Sequence, residues 1–192
     1  AGAVQPGDED DYFQSSLFTI ARRRILWLLI LVLANGLTTK VIAMNDQILK
    51  EIVLLAAFIP LLIGTGGNVG AQSSTVVIRG LSTQKLKSLG AIKAVVKEAI
   101  TGAILGVLMM LVVFPFAWWQ GQGPLIASAV GISLISITTL AATTGAILPL
   151  LFDRMKLDPA LMSSPFITTV TDIVGVFIYL STAKWLLSAS FT

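Results

Sequence analysis

The chain has 192 residues, of which 55% are hydrophobic and only 12% are charged, and its mean hydropathy is +0.89. Soluble domains carry about 25% charged residues, so this composition indicates an integral membrane protein. The absence of cysteine and histidine from the sequence excludes disulfides, zinc sites, haem ligation and histidine-based catalysis. The formal net charge of +3 is too small and too dispersed to indicate a partner nucleic acid.

Residues 1–24 form a lead-in that is first polar and then amphipathic. The first sixteen, "AGAVQPGDEDDYFQSS", are acidic, and no secretory signal follows them. The "YFQS" stretch has two interpretations, a native approach to the first span or a remnant of a protease tag. We favour the native approach, because "YFQSSLFTIARRRILWLL" has the pattern of one amphipathic segment. No soluble domain fits in the chain, so we expect any cytoplasmic regulatory module to lie outside it.

Residues 25–192 contain five apolar stretches long enough to cross the lipid bilayer, which takes about 20 residues of helix. They are Ile25–Met44, Ile52–Ile78, Val95–Trp119, Leu125–Phe152 and Ala160–Leu187. Short polar joints separate them, and the joint after the third stretch contains glycine and proline, which are typical of turns. The sequence therefore predicts an all-α membrane domain with five transmembrane helices.

Positive charge predicts the orientation of these helices. Arg22–Arg24 precede the first span, a group from Arg79 to Lys97 lies between or just inside the second and third spans, and Arg154 and Lys156 lie between the fourth and fifth. All three groups fall on one side if there are five spans. Because positively charged loops stay in the cytoplasm, we predict a cytoplasmic amino terminus.

The second span contains an unusual polar run, "PLLIGTGGNVGAQSST", from Pro60 to Thr75. One interpretation is tight helix packing, because Gly66 and Gly70 form a G-x-x-x-G pair of the kind that lets helices approach closely. The other is a broken or kinked helix that exposes carbonyls and Asn68 to a polar path, since irregular backbone at membrane depth occurs only against protein or water. We favour the polar path for the run as a whole.

The fifth span contains a single aspartate, Asp172, in the otherwise uncharged stretch "FITTVTDIVG". At helical spacing, Ser164 and Thr168 share its face, and Gly175 follows one turn further on. Pro165 lacks an N–H group, so it leaves the carbonyl four residues earlier without its usual donor and predicts a break or kink. This face therefore offers oxygen atoms to a polar solute.

An ionised aspartate at the centre of a bilayer costs roughly 2.5–3.5 kcal/mol, so Asp172 needs a partner. It could instead be protonated, or pair with a distant lysine such as Lys40 or Lys184, which lie near the outer ends of their spans. We favour a cation held by two Asp172 side chains across the axis of a homodimer. Oxygen ligands without histidine or cysteine suit magnesium, manganese and calcium better than zinc or copper.

Three stretches also carry a resemblance to a known family. "PLLIGTGGNVGAQSSTVVIRGL", "VVKEAITG" and "DPALMSSPFITTVTDIVG" together resemble the transmembrane domain of the MgtE family of magnesium channels, over residues 12–187. The resemblance implies a homodimer of five-helix subunits in the bacterial inner membrane, with a pore along the subunit interface that conducts hydrated Mg²⁺. Mn²⁺, Ca²⁺ and Co²⁺ are further candidates for the same site. It also implies soluble amino-terminal regulatory domains that this sequence lacks.

The resemblance assigns roles to single residues. Asp172 would bind hydrated magnesium, Thr168 would contribute its backbone carbonyl, and Glu98 would lie near the cytoplasmic mouth of the pore. The predicted pore lining comprises Gly66, Gly67, Asn68, Leu161, Ser164, Pro165 and Gly175. The narrow outer part of the pore would be formed by three of these residues, Gly67, Leu161 and Ser164. The sequence departs from some relatives at Ala71 and Ser164, where those relatives have asparagine.

Other functional classes fit the sequence less well. A proton-coupled divalent-cation antiporter or carrier would use Asp172 and Glu98 as a proton relay, but its sequence would be expected to show two similar halves. An aspartyl intramembrane protease needs a second buried aspartate, whereas Asp46, Asp153 and Asp158 lie at span ends. A serine protease needs a base, and a structural scaffold leaves the buried carboxylate unexplained. The sequence therefore predicts a transport protein and not an enzyme.

Overall fold

The computed structural model describes residues 17–51, 53–83, 90–120 and 123–188. These residues form helices joined by short turns: α1 Leu17–Ala43, α2 Asp46–Glu51, α3 Val53–Ser82, α4 Ala91–Trp119, α5 Gly123–Arg154 and α6 Pro159–Ser188. The predicted all-α class is thus confirmed for the described part of the chain.

Four of the helices, α3 to α6, are long and apolar enough to cross a membrane. In α1, the apolar stretch Leu28–Ala43 is shorter than a full membrane span within the described part of the chain. Four of the five predicted spans therefore have direct support. The first predicted span, in α1, stays a prediction.

The predicted spans agree closely with the helices, apart from the amino-terminal part. The helices α4 to α6 begin and end within four residues of the predicted bounds. Helix α1 begins at Leu17, eight residues before the predicted Ile25, because the helix continues into the polar lead-in while the apolar pattern does not. The six-residue helix α2 was not predicted, since the joint that contains it has few apolar residues.

Neither α3 nor α6 is broken. Helix α3 continues through Pro60 and α6 continues through Pro165, just as α4 and α5 continue through Pro115 and Pro149. A proline removes only one hydrogen bond of the ladder, and the remaining bonds maintain the helix on both sides. The alternative of a kink at these prolines stays a prediction.

Helix α5 lies at the centre of the fold. It packs against α3, α4 and α6, while α1 makes its main contacts with α6. The side chains of Val130, Leu134 and Ile137 on α5 are fully buried, and the helix is rich in alanine, glycine, serine and threonine. Small residues let neighbouring helices approach closely in lipid, so α5 can accommodate three neighbours.

Glycines bring these helices into backbone contact. A Cβ atom added at Gly102 of α4 would lie 2.6 Å from the carbonyl oxygen of Thr138 on α5, and one added at Gly106 would lie 2.5 Å from the Cα of Ile135. On the other side of α5, a Cβ atom at Gly145 would overlap the carbonyl oxygen of Gly70 on α3. Tight packing is therefore confirmed for the G-x-x-x-G pair of α3, and Gly102 and Gly106 form a second such pair in α4.

Candidate functional site

Asp172 is the fourteenth residue of the 30-residue helix α6, which places it about 20 Å along the helix at 1.5 Å per residue. Its side chain is half-buried. Within the described part of the chain, the carboxylate accepts no hydrogen bond and forms no ion pair. Because no described protein group occupies the oxygen atoms of Asp172, all their acceptor sites can serve a ligand.

Two threonines of α6 donate hydrogen bonds to neighbouring carbonyl groups of the same helix. The hydroxyl of Thr168 donates to the carbonyl of Pro165 at 3.0 Å. The hydroxyl of Thr171, which is fully buried, is shared between the carbonyls of Ile167 at 2.8 Å and Thr168 at 3.0 Å. The Thr168 carbonyl, which the resemblance assigns to the ion, therefore already accepts a side-chain hydrogen bond.

Helix α3 packs against α6 near Thr168 and Thr171. A Cβ atom added at Gly67 would lie 3.7 Å from the methyl carbon of Thr168, and one added at Gly66 would lie 3.7 Å from the Cβ of Thr171. Gly67 is half-buried and Asn68 is exposed. The structure thus brings the predicted residue of the second span, Gly67, next to the predicted ion-binding face of the fifth.

The polar run of α3 divides into two faces at helical spacing. One face is buried against the other helices and includes Gly66, Gly70, Ser73 and Ser74. The other face is exposed and consists of Gly64, Asn68, Gln72 and Thr75, which we call the polar stripe of α3. Among the described residues, the amides at 68 and 72 make no hydrogen bond. Exposed amides are unfavourable against lipid tails, so this stripe requires water or protein beside it.

The remaining predicted pore residues are less uniform in position. Gly66 and Gly175 are buried, and a Cβ atom added at Gly175 would lie 3.6 Å from three side-chain atoms of Ile137 on α5. Both glycines thus face the interior of the helix bundle, while Pro165 is half-buried. The backbones of residues 161 and 164 belong to the first turns of α6, and their side chains lie outside the described part of the structure.

Glu98 is half-buried in the first third of α4. Helix α4 packs mainly against α5, and α6 is not among its main neighbours, so Glu98 and Asp172 belong to separate locations. Among the described residues, no three acidic, histidine or cysteine side chains come together as a metal site. A single copy of the described chain therefore supplies one isolated carboxylate rather than a full set of metal ligands.

Sequence reasoning missed Thr171. Its position within "TTVTD" does not indicate a functional residue, because a threonine next to an aspartate in an apolar helix forms no distinctive pattern. The feature that makes it notable is its contact with the carbonyl of Thr168, and this depends on the side-chain rotamer. The only signal in the sequence was the local density of hydroxyl groups.

Comparison with known proteins gives a consistent assignment. Residues 59–182 match the family model of MgtE, a divalent cation transporter. The chain is 39% identical over 166 residues to the magnesium transporter MgtE of Thermus thermophilus, a match that covers 86% of this chain and 37% of that protein. It is 33% identical over 176 residues to the magnesium transporter MgtE of Bacillus subtilis, covering 91% of this chain and 39% of that protein.

The magnesium transporter MgtE of Enterococcus faecalis is 34% identical over 168 residues, with coverage of 85% of this chain and 36% of that protein. The chain therefore spans less than two fifths of the length of these relatives. The family match extends from α3 into α6 and includes Asp172. Together with four membrane-capable helices, the match establishes that this multi-pass membrane protein belongs to the MgtE family of divalent cation transporters.

Proposed function

We propose that this chain is the pore domain of a magnesium transporter and not an enzyme. The observation that carries the proposal is Asp172, a half-buried carboxylate near the middle of α6 with no hydrogen bond or ion pair among the described residues. An ionised carboxylate near the middle of a membrane helix is energetically unfavourable unless it binds a cation or another charge. The relatives named magnesium transporters support Mg²⁺ as that charge.

The pore would lie between two copies of the chain. The polar stripe of α3 and the exposed Thr168 of α6 lie on neighbouring helices, since Gly67 approaches the Thr168 methyl group. In lipid, such a polar surface needs a second protein surface or a water-filled path. A two-fold axis beside this surface would supply both, and would place two Asp172 carboxylates opposite each other. Two negative charges match one divalent cation.

The ion would be held through its own water molecules. Magnesium dehydrates reluctantly and keeps several waters when it is bound by one or two carboxylates. Asp172 would accept hydrogen bonds from these waters. The Thr168 carbonyl would accept another in place of the Thr171 hydroxyl, since its other lone pair accepts the N–H of Asp172 in the helix. Mn²⁺, Ca²⁺ and Co²⁺ are competing ions for the same oxygen ligands.

The narrow part of the pore belongs at the inner end rather than the outer end. Leu161 and Ser164 lie in the first turns of α6, directly after the turn that contains Lys156 and close to Arg154 at the end of α5. With the cytoplasmic orientation predicted from the basic residues, this end of α6 is cytoplasmic. The expectation of a narrow outer part therefore conflicts with the chain direction, and we place the constriction on the cytoplasmic side.

Glu98 would lie on the same cytoplasmic side, since it belongs to the first third of α4, which begins at Ala91 after the basic joint. There it would contribute negative charge to the inner mouth of the pore rather than to the central site. The bacterial relatives support the bacterial plasma membrane as the location. Their greater length supports the expectation of further domains in the full protein.

The test is ion flux in proteoliposomes that contain the purified chain. Magnesium flux that persists without a pH gradient supports a channel, whereas flux that requires a proton gradient supports the alternative of a proton-coupled carrier. Calcium, manganese and cobalt in place of magnesium define the ion preference. The matched variants are Asp172→Asn, which should abolish flux, and Asp153→Asn, which removes an exposed carboxylate at the end of α5 and should not.

A further inference from the structure

An apolar groove runs between the first turns of α4 and the last turns of α5. Its volume is about 250 Å³, and its lining includes Ile92 and Val96 of α4 together with Ile147 and Leu151 of α5. All four side chains are at least 44% exposed, so the groove is open along its length. Among the described residues, Arg154 at the end of α5 is the only charged residue in its lining.

Arg154 is available for a ligand. Its side chain is exposed, and within the described residues it makes no hydrogen bond or ion pair. Helix α5 has 32 residues and is therefore about 48 Å long at 1.5 Å per residue. This exceeds the hydrocarbon core of a bilayer, which is about 30 Å thick. The last residue of α5 thus reaches the level of the lipid headgroups.

The surroundings of the groove are basic. Lys93 and Lys97 are exposed on the first turns of α4. The first turn of α4 also has no side-chain cap at Gly90, so its backbone N–H groups add partial positive charge there. An occupant of this groove should therefore combine an apolar chain with a negatively charged head.

We propose that this groove binds an anionic phospholipid of the cytoplasmic leaflet, with one acyl chain along the apolar lining and the phosphate on Arg154. Basic pockets between transmembrane helices on the cytoplasmic side favour anionic lipid heads, and each basic residue near the surface contributes about 1 kcal/mol. The bound lipid would link the inner ends of α4 and α5. The site is separate from Asp172, since no described residue of α6 lines the groove.

The charged half of the site is tested with Arg154→Gln and Arg79→Gln in the purified chain. Both variants remove one exposed positive charge, but only Arg154 lines the groove. Lipid binding is measured by native mass spectrometry with phosphatidylglycerol, with phosphatidylcholine and with inorganic phosphate alone. We expect tighter binding of phosphatidylglycerol than of the other two. Arg154→Gln should weaken that binding about fivefold, and Arg79→Gln should leave it unchanged.

The apolar half is tested with Ile147→Trp, whose larger side chain would fill the groove. The control is Ile132→Trp, because Ile132 is also exposed on α5 but lies outside the groove. We expect only Ile147→Trp to reduce phosphatidylglycerol binding. Equal effects of the two arginine variants, or equal binding of the two lipids, would reduce the site to general surface charge and overturn the proposal. Loss of a dimer in Ile147→Trp without loss of lipid would also overturn it, because a second copy would then cover the groove.

Discussion

The buried hydroxyl of Thr171 lies 3.0 Å from the carbonyl oxygen of Thr168 and donates a hydrogen bond to it. The same hydroxyl has a second acceptor, the carbonyl of Ile167 at 2.8 Å. It can therefore release Thr168 without losing its own hydrogen bond. If the Thr168 carbonyl receives a water of the hydrated ion, Thr171 sets how much of that carbonyl is available.

Thr171→Val should tighten magnesium binding. Valine keeps the shape of threonine but has no hydroxyl, so it leaves one more lone pair of the Thr168 carbonyl for water. We expect an increase in affinity of between about two- and fivefold, which corresponds to about 0.5–1 kcal/mol. Isothermal titration calorimetry measures this effect. Thr171→Ser is the control, since it keeps the hydroxyl and should bind as the original chain does. An unchanged affinity in the valine variant would show that the hydroxyl does not compete with the ion.

Asp172→Asn should weaken magnesium binding by orders of magnitude. At an effective dielectric constant of about 20, two unit charges 4 Å apart attract by about 4 kcal/mol, and each 1.4 kcal/mol corresponds to a factor of ten. Water between the carboxylate and the ion reduces this effect to a few kcal/mol. Titration calorimetry and magnesium-dependent current measure it. The variant should still insert into the membrane, because it removes an intramembrane charge. Asp172→Glu should fall between the two, and equal binding by Asn and Asp would make the carboxylate a purely structural group.

Gly67→Leu should block or sharply reduce ion flux. An added Cβ atom at Gly67 would already lie 3.7 Å from the Thr168 methyl group, so a leucine side chain would project along the ion-binding face. Flux in proteoliposomes and the thermal stability of the purified protein are both measured. The control is Gly36→Leu on α1, where a Cβ atom would meet no atom within 4 Å. Normal flux in a folded Gly67→Leu protein would mean that this part of α3 serves only packing.

Gly102→Ala should destabilise the fold rather than alter conduction alone. Its Cβ atom would lie 2.6 Å from the Thr138 carbonyl oxygen and 2.7 Å from the Ala142 side chain, so α4 would have to move away from α5. Overpacking of this kind typically costs 1–3 kcal/mol. Thermal unfolding in detergent measures the loss. Gly64→Ala is the matched control, because a Cβ atom there has open space and alanine favours a helix over glycine. If Gly102→Ala is as stable as Gly64→Ala, the α4–α5 contact is looser than described.

The purified chain should be a dimer in detergent. A pore between two copies requires a protein mass of twice 20.4 kDa, which light scattering coupled to size exclusion measures after correction for bound detergent. The polar stripe of α3 should be part of this interface, so Gln72→Leu and Thr75→Leu are useful variants for mapping it. A stable monomer that still conducts magnesium would contradict the proposed pore.

Much of the helix arrangement could be predicted from the sequence, because hydrophobicity and length decide where a chain crosses a membrane. The bounds of α4, α5 and α6 followed from their apolar runs. The orientation that the basic residues predict stays a prediction. The two faces of α3 were harder to predict. Both consist of glycine and small polar residues, so Gly66 on the buried face and Asn68 on the exposed face show no contrast in hydrophobicity at the helical period.

The details of the site also exceeded what a sequence can provide. The role of Thr171 depends on which carbonyls its hydroxyl reaches, and a rotamer decides this. The short helix α2 depends on the way α1 and α3 are joined, not on an apolar pattern of its own. By contrast, Asp172 stood out at once, because a charge is conspicuous in an apolar helix whatever surrounds it.

The contact between Gly70 and Gly145 has a mechanical consequence. Helices that meet through long side chains can slide when those side chains change rotamer, but α3 and α5 meet here through backbone atoms. Gly102 and Gly106 join α4 to α5 in the same way. Packed backbones deform little, so we expect α3, α4 and α5 to move as one rigid block when the pore opens or closes. In the proposed dimer, gating would then be a movement of this block in one copy relative to the same block in the other copy. Helices α6 and α1 would adjust between the two blocks.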